Sequence, residues 1–272
     1  MSIPRIGTVL CPVDLSEQSR AALCLATGFA QTPGSRLAVL RVDPRLSPSA
    51  DGSDLAARTE LDEFVRKALP GVLADNDNND LIVRGGEAPS AILSTARDID
   101  ADLIVMGTRG RGALVRALLG STAAAVLQET TVPVMVVPPH MPELISLGKD
   151  HTLFHFGLIL VPVDLKGAAS KQLDWAGRLS AGSSHKLLLV HVVPPGSDRE
   201  FAIERMNQMA RGMATARGVK LLVREGQVVD EVIHVVQHER VGVVIMGRGS
   251  DAPGAIAYEV LRNSRSLVLM VP

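Results

Sequence analysis

One segment of the sequence carries the residue types of a phosphate site. Met106-Gly107-Thr108-Arg109-Gly110-Arg111-Gly112 is followed by ALVRALL and then by Gly120-Ser121-Thr122. Glycine lacks a Cβ, so a glycine-rich turn lets backbone N–H groups approach an anion closely. A helix N-terminus adds unpaired N–H donors and a favourable dipole. Ser121 and Thr122 bring hydroxyls to a helix start, and Arg109, Arg111 and Arg116 bring positive charge. The spacing is neither GxxxxGK[ST] nor GxGxxG, which removes the usual P-loop and dinucleotide readings. On the residues alone two readings stand: a phosphate cradle, or a glycine turn that serves only geometry.

Other residues with chemical potential carry less. Asp14 either contacts a ligand at a sheet edge or satisfies N–H groups at a helix start. His234 and His238 are four apart on a helical pattern. They read as a surface pair rather than zinc ligands, because no HExxH pattern or third ligand accompanies them. His151 and His155 fall in an irregular stretch, and His191 on a strand. DNDNND at 75–80 reads as a polar turn, since its spacing does not match a calcium loop. Cys11 and Cys24 read as small buried hydrophobes. No Ser-His-Asp set or carboxylate pair can be assembled from spacing, so a hydrolase or transferase mechanism has no positive case.

The elements that must position the loop occur twice. VLCPVD at 9–14 returns as ILVPVD at 159–164, DLIVMG at 102–107 as GVVIMG at 242–247, and VPVMVVP at 132–138 as SLVLMVP at 266–272. Between these anchors short apolar runs alternate with helical patterns. The first half predicts strands near 6–13, 36–42, 80–84, 102–106 and 133–137, with helices near 16–31, 54–69, 88–99 and 115–128. The second predicts strands near 158–163, 186–192, 219–224, 242–246 and 266–271, with helices near 168–181, 198–217, 228–239 and 254–263. The strands are continuous apolar runs, as expected of strands buried on both faces. Alternating βα units of this kind predict an α/β fold with two tandem doubly wound, parallel, five-stranded sheets. The expected domains are 1–145 and 153–272. The stretch 139–157 has no sustained period and reads as the linker.

The two halves are not equal. Aligning the closing prolines, Pro138 with Pro272, sets Gly254 opposite Gly120 and Ala255 opposite Ser121. Gly107 and Gly247, however, are six positions further apart than those prolines, so the second loop is six residues shorter. Ser250 stands where the second glycine is expected, the hydroxyl is lost at Ala255, and Asp251 brings a charge that opposes a phosphate.

Bulk composition narrows the class. The chain has 272 residues, 46% hydrophobic and 21% charged, which is a globular profile with room for two ordinary domains. A net charge of -1 argues against a basic nucleic-acid surface and against polybasic membrane docking. No apolar run approaches the ~18 residues of a membrane span. The opening MSIPRIGTVLCPVDLS lacks a signal-peptide pattern, and two cysteines make no disulfide framework. Both features lead to the expectation of a cytoplasmic protein.

Gly107, two residues, Gly110, nine residues and then Gly120-Ser121 match the G-x2-G-x9-G-[ST] motif of ATP-binding universal stress proteins. With PVD after the first strand, DLIVMGTRGRG and the closing VPVMVV, the chain resembles two copies of that family. The resemblance implies an adenine-nucleotide-hydrolase-like, Rossmann-like fold and a stress-response role. It implies ATP, with or without Mg2+, in the first half. Met106, Gly107, Arg109, Gly110, Gly120, Ser121 and Thr122 would line phosphates and ribose. Pro12 and Asp14 would lie at the ribose or adenine, and the Val42 main chain would meet the adenine edge. The family usually has His before that valine; here it is Arg41. The family's dimers imply pairing of 133–137 with 267–271 as an intramolecular pseudo-dimer, or a homodimer. Three function classes follow: a nucleotide-binding regulator, a slow ATPase or phosphoryl-transfer enzyme at the same site, and a nucleotide-independent scaffold.

Overall fold

The computed structural model describes residues 6–47, 54–70, 79–108, 119–139, 144–147, 152–167, 169–181, 185–213, 218–248, 255–263 and 265–272. The chain divides into two compact units, Arg5–Phe154 and His155–Val271.

The first unit runs β1 (Thr8–Val13), α1 (Glu17–Ala30), β2 (Arg36–Asp43), α2 (Leu55–Ala68), β3 (Asn79–Gly85), α3 (Ala88–Asp98), β4 (Leu103–Gly107), α4 (Ser121–Glu129) and β5 (Val134–Val137). Its five strands are parallel in the order β3-β2-β1-β4-β5. The chain winds outward from β1 to β3, crosses back beside β1 as β4, and then winds outward the other way. Crossovers of one hand place helices from the two directions on opposite faces. Accordingly α1 packs beside α2, and α3 beside α4. The apolar runs are the core: Val9, Leu10, Cys11, the four residues 37–40, and Leu103, Ile104 and Val105 are all fully buried.

The second unit repeats the plan with β8 (Leu158–Pro162), α5 (Ser170–Ser180), β9 (Lys186–Val193), α6 (Arg199–Arg211), β10 (Val219–Glu225), α7 (Val228–His238), β11 (Val241–Gly247), α8 (Ala255–Asn263) and β12 (Leu267–Val271). Its parallel order is β10-β9-β8-β11-β12.

Helix starts follow their capping residues. The Ser16 hydroxyl accepts from the Ser19 N–H at 3.2 Å, and the Ser19 hydroxyl takes the Ser16 N–H at 3.1 Å, a reciprocal box. Asp54 and Asp198 cap α2 and α6 in the same sense. Helix α4 differs. It starts at Ser121 rather than near 115, because Gly120 is extended (φ -70°, ψ 155°) and forms the N-cap without any side-chain hydrogen bond. Residues 115–118 of the expected helix lie outside the described residues.

The stretch 139–157 holds an antiparallel ribbon of β6 (Ile145–Leu147) and β7 (Thr152–Phe154) that packs on α1. Phe154 stacks on Phe29 at 4.9 Å. Strands of three residues are too short to leave a periodic signal. No described helix is long and apolar enough to cross a membrane.

Candidate functional site

In an open parallel sheet, ligands bind outside the carboxyl ends of the strands where the winding reverses. In the first unit that point lies between β1 and β4. The register there pairs Leu10 with Ile104, β1 pairs Val13 with Arg41, and β4 pairs Gly107 with Val137. Extending each register by its own step sets Val42, Asp14, Thr108 and Pro138 in one row across the sheet edge. Pro12 then stands level with Met106. The sequence-predicted residues Pro12, Asp14, Val42, Met106 and Gly107 therefore share one edge. Gly120 joins them, because its N–H donates to the Thr108 carbonyl at 2.6 Å, which brings Ser121 and Thr122 to the same place. Arg109 and Gly110 lie outside the described residues.

Asp14 has a local role. Its Oδ1 accepts from the Ser16 N–H at 3.2 Å and from the Ser16 hydroxyl. The turn forces Leu15 to a φ of 61°, left-handed for a residue with a Cβ, which costs about 1 kcal/mol or more. Strain of this kind concentrates at functional edges, where surrounding structure holds it. The aspartate fixes the start of α1 beside the crevice.

Arg41 turns away from the crevice. Its guanidinium donates to the Ala57 carbonyl at 3.0 Å and pairs with Glu60 at 2.7 Å and with Asp43 at 3.3 Å. Asp43 is buried and also accepts from the Arg45 Nε at 2.9 Å and the Arg45 N–H at 3.0 Å. Hydrogen bonds from Arg45 dominate over burial and bring the Asp43 carboxyl down to about 2. The second unit has His191 at the matching position, with Nδ1 2.8 Å from the Val163 carbonyl.

Two residues escaped the sequence reading. Thr108 is buried, and its Oγ1 has no hydrogen-bond partner among the described residues. Its type was visible beside Gly107, but only burial gives it meaning. Gln172 is the other. In the orientation that satisfies both ends of its amide, it donates to the Ala169 carbonyl at 3.1 Å and accepts from the Gly247 N–H at 3.2 Å. It thus seats on the glycine that corresponds to Gly107, a contact no spacing reveals. Register in the second unit aligns Asp164 with Arg248, the counterpart of Asp14 with Thr108. The Arg248 N–H donates to the Val271 carbonyl at 2.9 Å, as the Thr108 N–H does to Val137 at 3.0 Å.

No group of three or more His, Cys, Asp or Glu side chains able to hold a cation occurs among the described residues. His234 and His238 stack at 4.0 Å on the exposed face of α7, where His238 Nδ1 lies 2.8 Å from the His234 carbonyl.

The universal stress protein family matches residues 5–138. A universal stress protein of Thermus aquaticus is 36% identical over 137 residues, covering 48% of this chain and 97% of that relative. The chain belongs to the universal stress protein family. A relative from Synechocystis sp. is 32% identical over 135 residues, covering 48% of this chain and 85% of its own length. A universal stress protein from Archaeoglobus fulgidus has the same two-unit fold: 22% identity, a TM-score of 0.69, and coverage of 97% of both chains. Membership makes this a stress-response protein by family, and the α/β architecture is the one the family shares.

Proposed function

We propose that the chain is an ATP-binding regulatory protein whose first unit holds the nucleotide at the β1–β4 edge. The observation that carries this reading is the convergence there of Gly107, Asp14 and the uncapped start of α4 at Gly120-Ser121. Gly107 and Gly120-Ser121 are the ends of a segment whose spacing is the family's nucleotide motif. Backbone donors and helix dipole suit a phosphate chain, and the main chain of Val42 lies level with Asp14 for the adenine side. With no cluster of cation ligands among the described residues, Mg2+ enters this reading only as a counter-ion of the phosphates.

The second unit is read as structural or regulatory. Gln172 already takes the Gly247 N–H there, and Arg248 replaces Thr108. A regulatory role requires that nucleotide favour one state or partner through differential affinity. The ATPase reading is weaker, because Asp14, the carboxylate of the row, is engaged by Ser16 and no oriented general base accompanies it among the described residues. Edge pairing of the two units within one chain, and further association into a homodimer, remain part of the proposal; light scattering reads the mass.

The test is calorimetric titration and melting of the full chain with ATP. A ligand at 100 Kd stabilises by about 2.7 kcal/mol. Binding at one equivalent per chain, lost in Gly110→Val, supports the reading. A chain whose melting is unmoved by millimolar ATP sinks it and favours the nucleotide-independent scaffold. Multiple turnover of Mg-ATP that vanishes in the same variant favours the enzyme.

A further inference from the structure

A histidine pair on the second unit has no part in the nucleotide reading. His234 and His238 are both exposed on α7, with ring centroids 4.0 Å apart and ring planes inclined by 23°. Residues four apart stand one above the other on a helix face. The fold does not ask for histidine at either place. Helix α3 is the counterpart of α7, each has 11 residues, and α3 carries Ser94 and Asp98 at the matching positions. Nor do the rings fill the core, because α7 buries Val232, Val235 and Val236 instead.

The geometry suits a cation in three respects. His238 Nδ1 lies 2.8 Å from the His234 carbonyl oxygen, which can only accept. The hydrogen therefore sits on Nδ1, and in the neutral ring Nε2 keeps its lone pair. One nitrogen bonded to a carbonyl and the other bare is how metal-binding imidazoles are oriented. Next, two imidazoles on one tetrahedral cation, with bonds of ~2.0–2.1 Å, hold their nitrogens about 3.3 Å apart. Rings already 4.0 Å apart on exposed side chains reach that by rotation, with no change in the backbone. Finally, His238 is the last residue of α7, so the pair sits at the negative end of the helix dipole. The neighbouring charges of Glu239 and Arg240 are opposite in sign, which leaves the dipole as the local bias.

We infer that His234 and His238 form a two-nitrogen chelate for a divalent transition cation of the Zn2+ and Cu2+ class. No cluster of three ligands occurs among the described residues, so this is not a closed structural zinc site. It is a half-filled one, with water in the remaining positions. Imidazole nitrogen selects Zn2+ and Cu2+ over Mg2+ and Ca2+, which prefer oxygen, and Cu2+ binds tightest. The inference shares no residue with the first unit's nucleotide site and stands apart from that reading.

The experiment is calorimetric titration of the full chain with Zn2+, in wild type, His234→Ala, His238→Ala and His155→Ala. His155 is an exposed histidine away from α7 and serves as the control. The tightest Zn2+ equivalent is expected to weaken by about tenfold or more in either α7 variant, because a chelate loses its advantage with either arm. His155→Ala stays within about twofold of wild type, and excess Mg2+ does not displace the Zn2+. Ligand-free melting of the α7 variants matches wild type, since both side chains are exposed. One equivalent of Cu2+ gives an electron paramagnetic resonance spectrum coupled to two nitrogens in wild type and to one fewer in either α7 variant. Zn2+ affinity unchanged in both variants, a loss confined to one of them, or displacement by Mg2+ overturns the inference. So does a wild-type Cu2+ spectrum with fewer than two coupled nitrogens, whatever the variants do.

Discussion

The N–H of Gly120 donates to the carbonyl of Thr108 at 2.6 Å, so the last residue before α4 is tied to the end of β4. Gly120 has an extended φ of -70°, a backbone conformation open to residues with a Cβ. An aspartate at an N-cap accepts first-turn N–H groups, and is preferred to glycine by a few tenths of a kcal/mol. Gly120→Asp is therefore expected to raise ligand-free stability slightly and to cut ATP affinity by at least tenfold, since its carboxylate competes with phosphate for those donors. Melting and titration of one variant check both signs. Unchanged ATP affinity would remove α4 from the site.

Gly247 and Gln172 should be coupled. A Cβ on Gly247 would collide with the Gln172 amide end that accepts from the Gly247 N–H, the far end of a flexible side chain. Gly247→Ala must displace that amide and lose its hydrogen bond, at a cost of about 1 kcal/mol. In a Gln172→Ala background the same substitution should cost nearly nothing. Urea denaturation of the four chains gives the interaction energy. Additive effects would mean that the amide does not seat on the glycine.

The repeat and the parallel, alternating βα plan were legible because they rest on long apolar runs and on motifs that recur in both halves. Of the helix expected near 115–128, α4 takes Ser121–Glu129, and the extended backbone of Gly120 sets its start; 115–118 lie outside the described residues. Arg41 showed in the sequence only as a departure from the family's usual His; its buried side chain pairs with Asp43 and reaches Glu60. Thr108 and Gln172 could not be read, because an orphan hydroxyl and a seated amide are facts of burial and long-range contact, not of spacing. The ribbon at 145–154 was hidden for the opposite reason: its strands are too short to show a period.

The two thiols should react unequally. Cys11 is fully buried on β1, and burial pushes its thiol far above the usual range. Cys24 is partly exposed; burial raises its thiol too, with Arg20 opposing. Because the thiolate is the reactive form, a disulfide reagent at about pH 8 should label native protein slowly, and only at Cys24. Cys24→Ala should remain unlabelled until denaturant is added. Fast labelling of that variant in buffer would contradict the burial of β1.

Acid stability should depend on Asp43. Its carboxyl falls from 3.8 to about 2 in the folded state, chiefly through hydrogen bonds from Arg45. A folded value below the unfolded one means that the contribution is fully present above about pH 4 and is lost as pH falls through about 2. The full shift corresponds to ~2.5 kcal/mol, but Arg45 is 75% exposed and solvent screens it, so about 1 kcal/mol is expected. Denaturation midpoints measured between pH 5 and 2 should fall more steeply in wild type than in Asp43→Asn. At pH 7 the variant should lose about 3 kcal/mol, because it leaves the buried Arg41 guanidinium with Glu60 as its remaining charged partner. Parallel slopes in the two chains would show that Asp43 titrates like a surface carboxylate. Arg45→Ala separates the two arginines: it should flatten the acid slope while leaving Arg41 paired, and so cost less at pH 7 than Asp43→Asn.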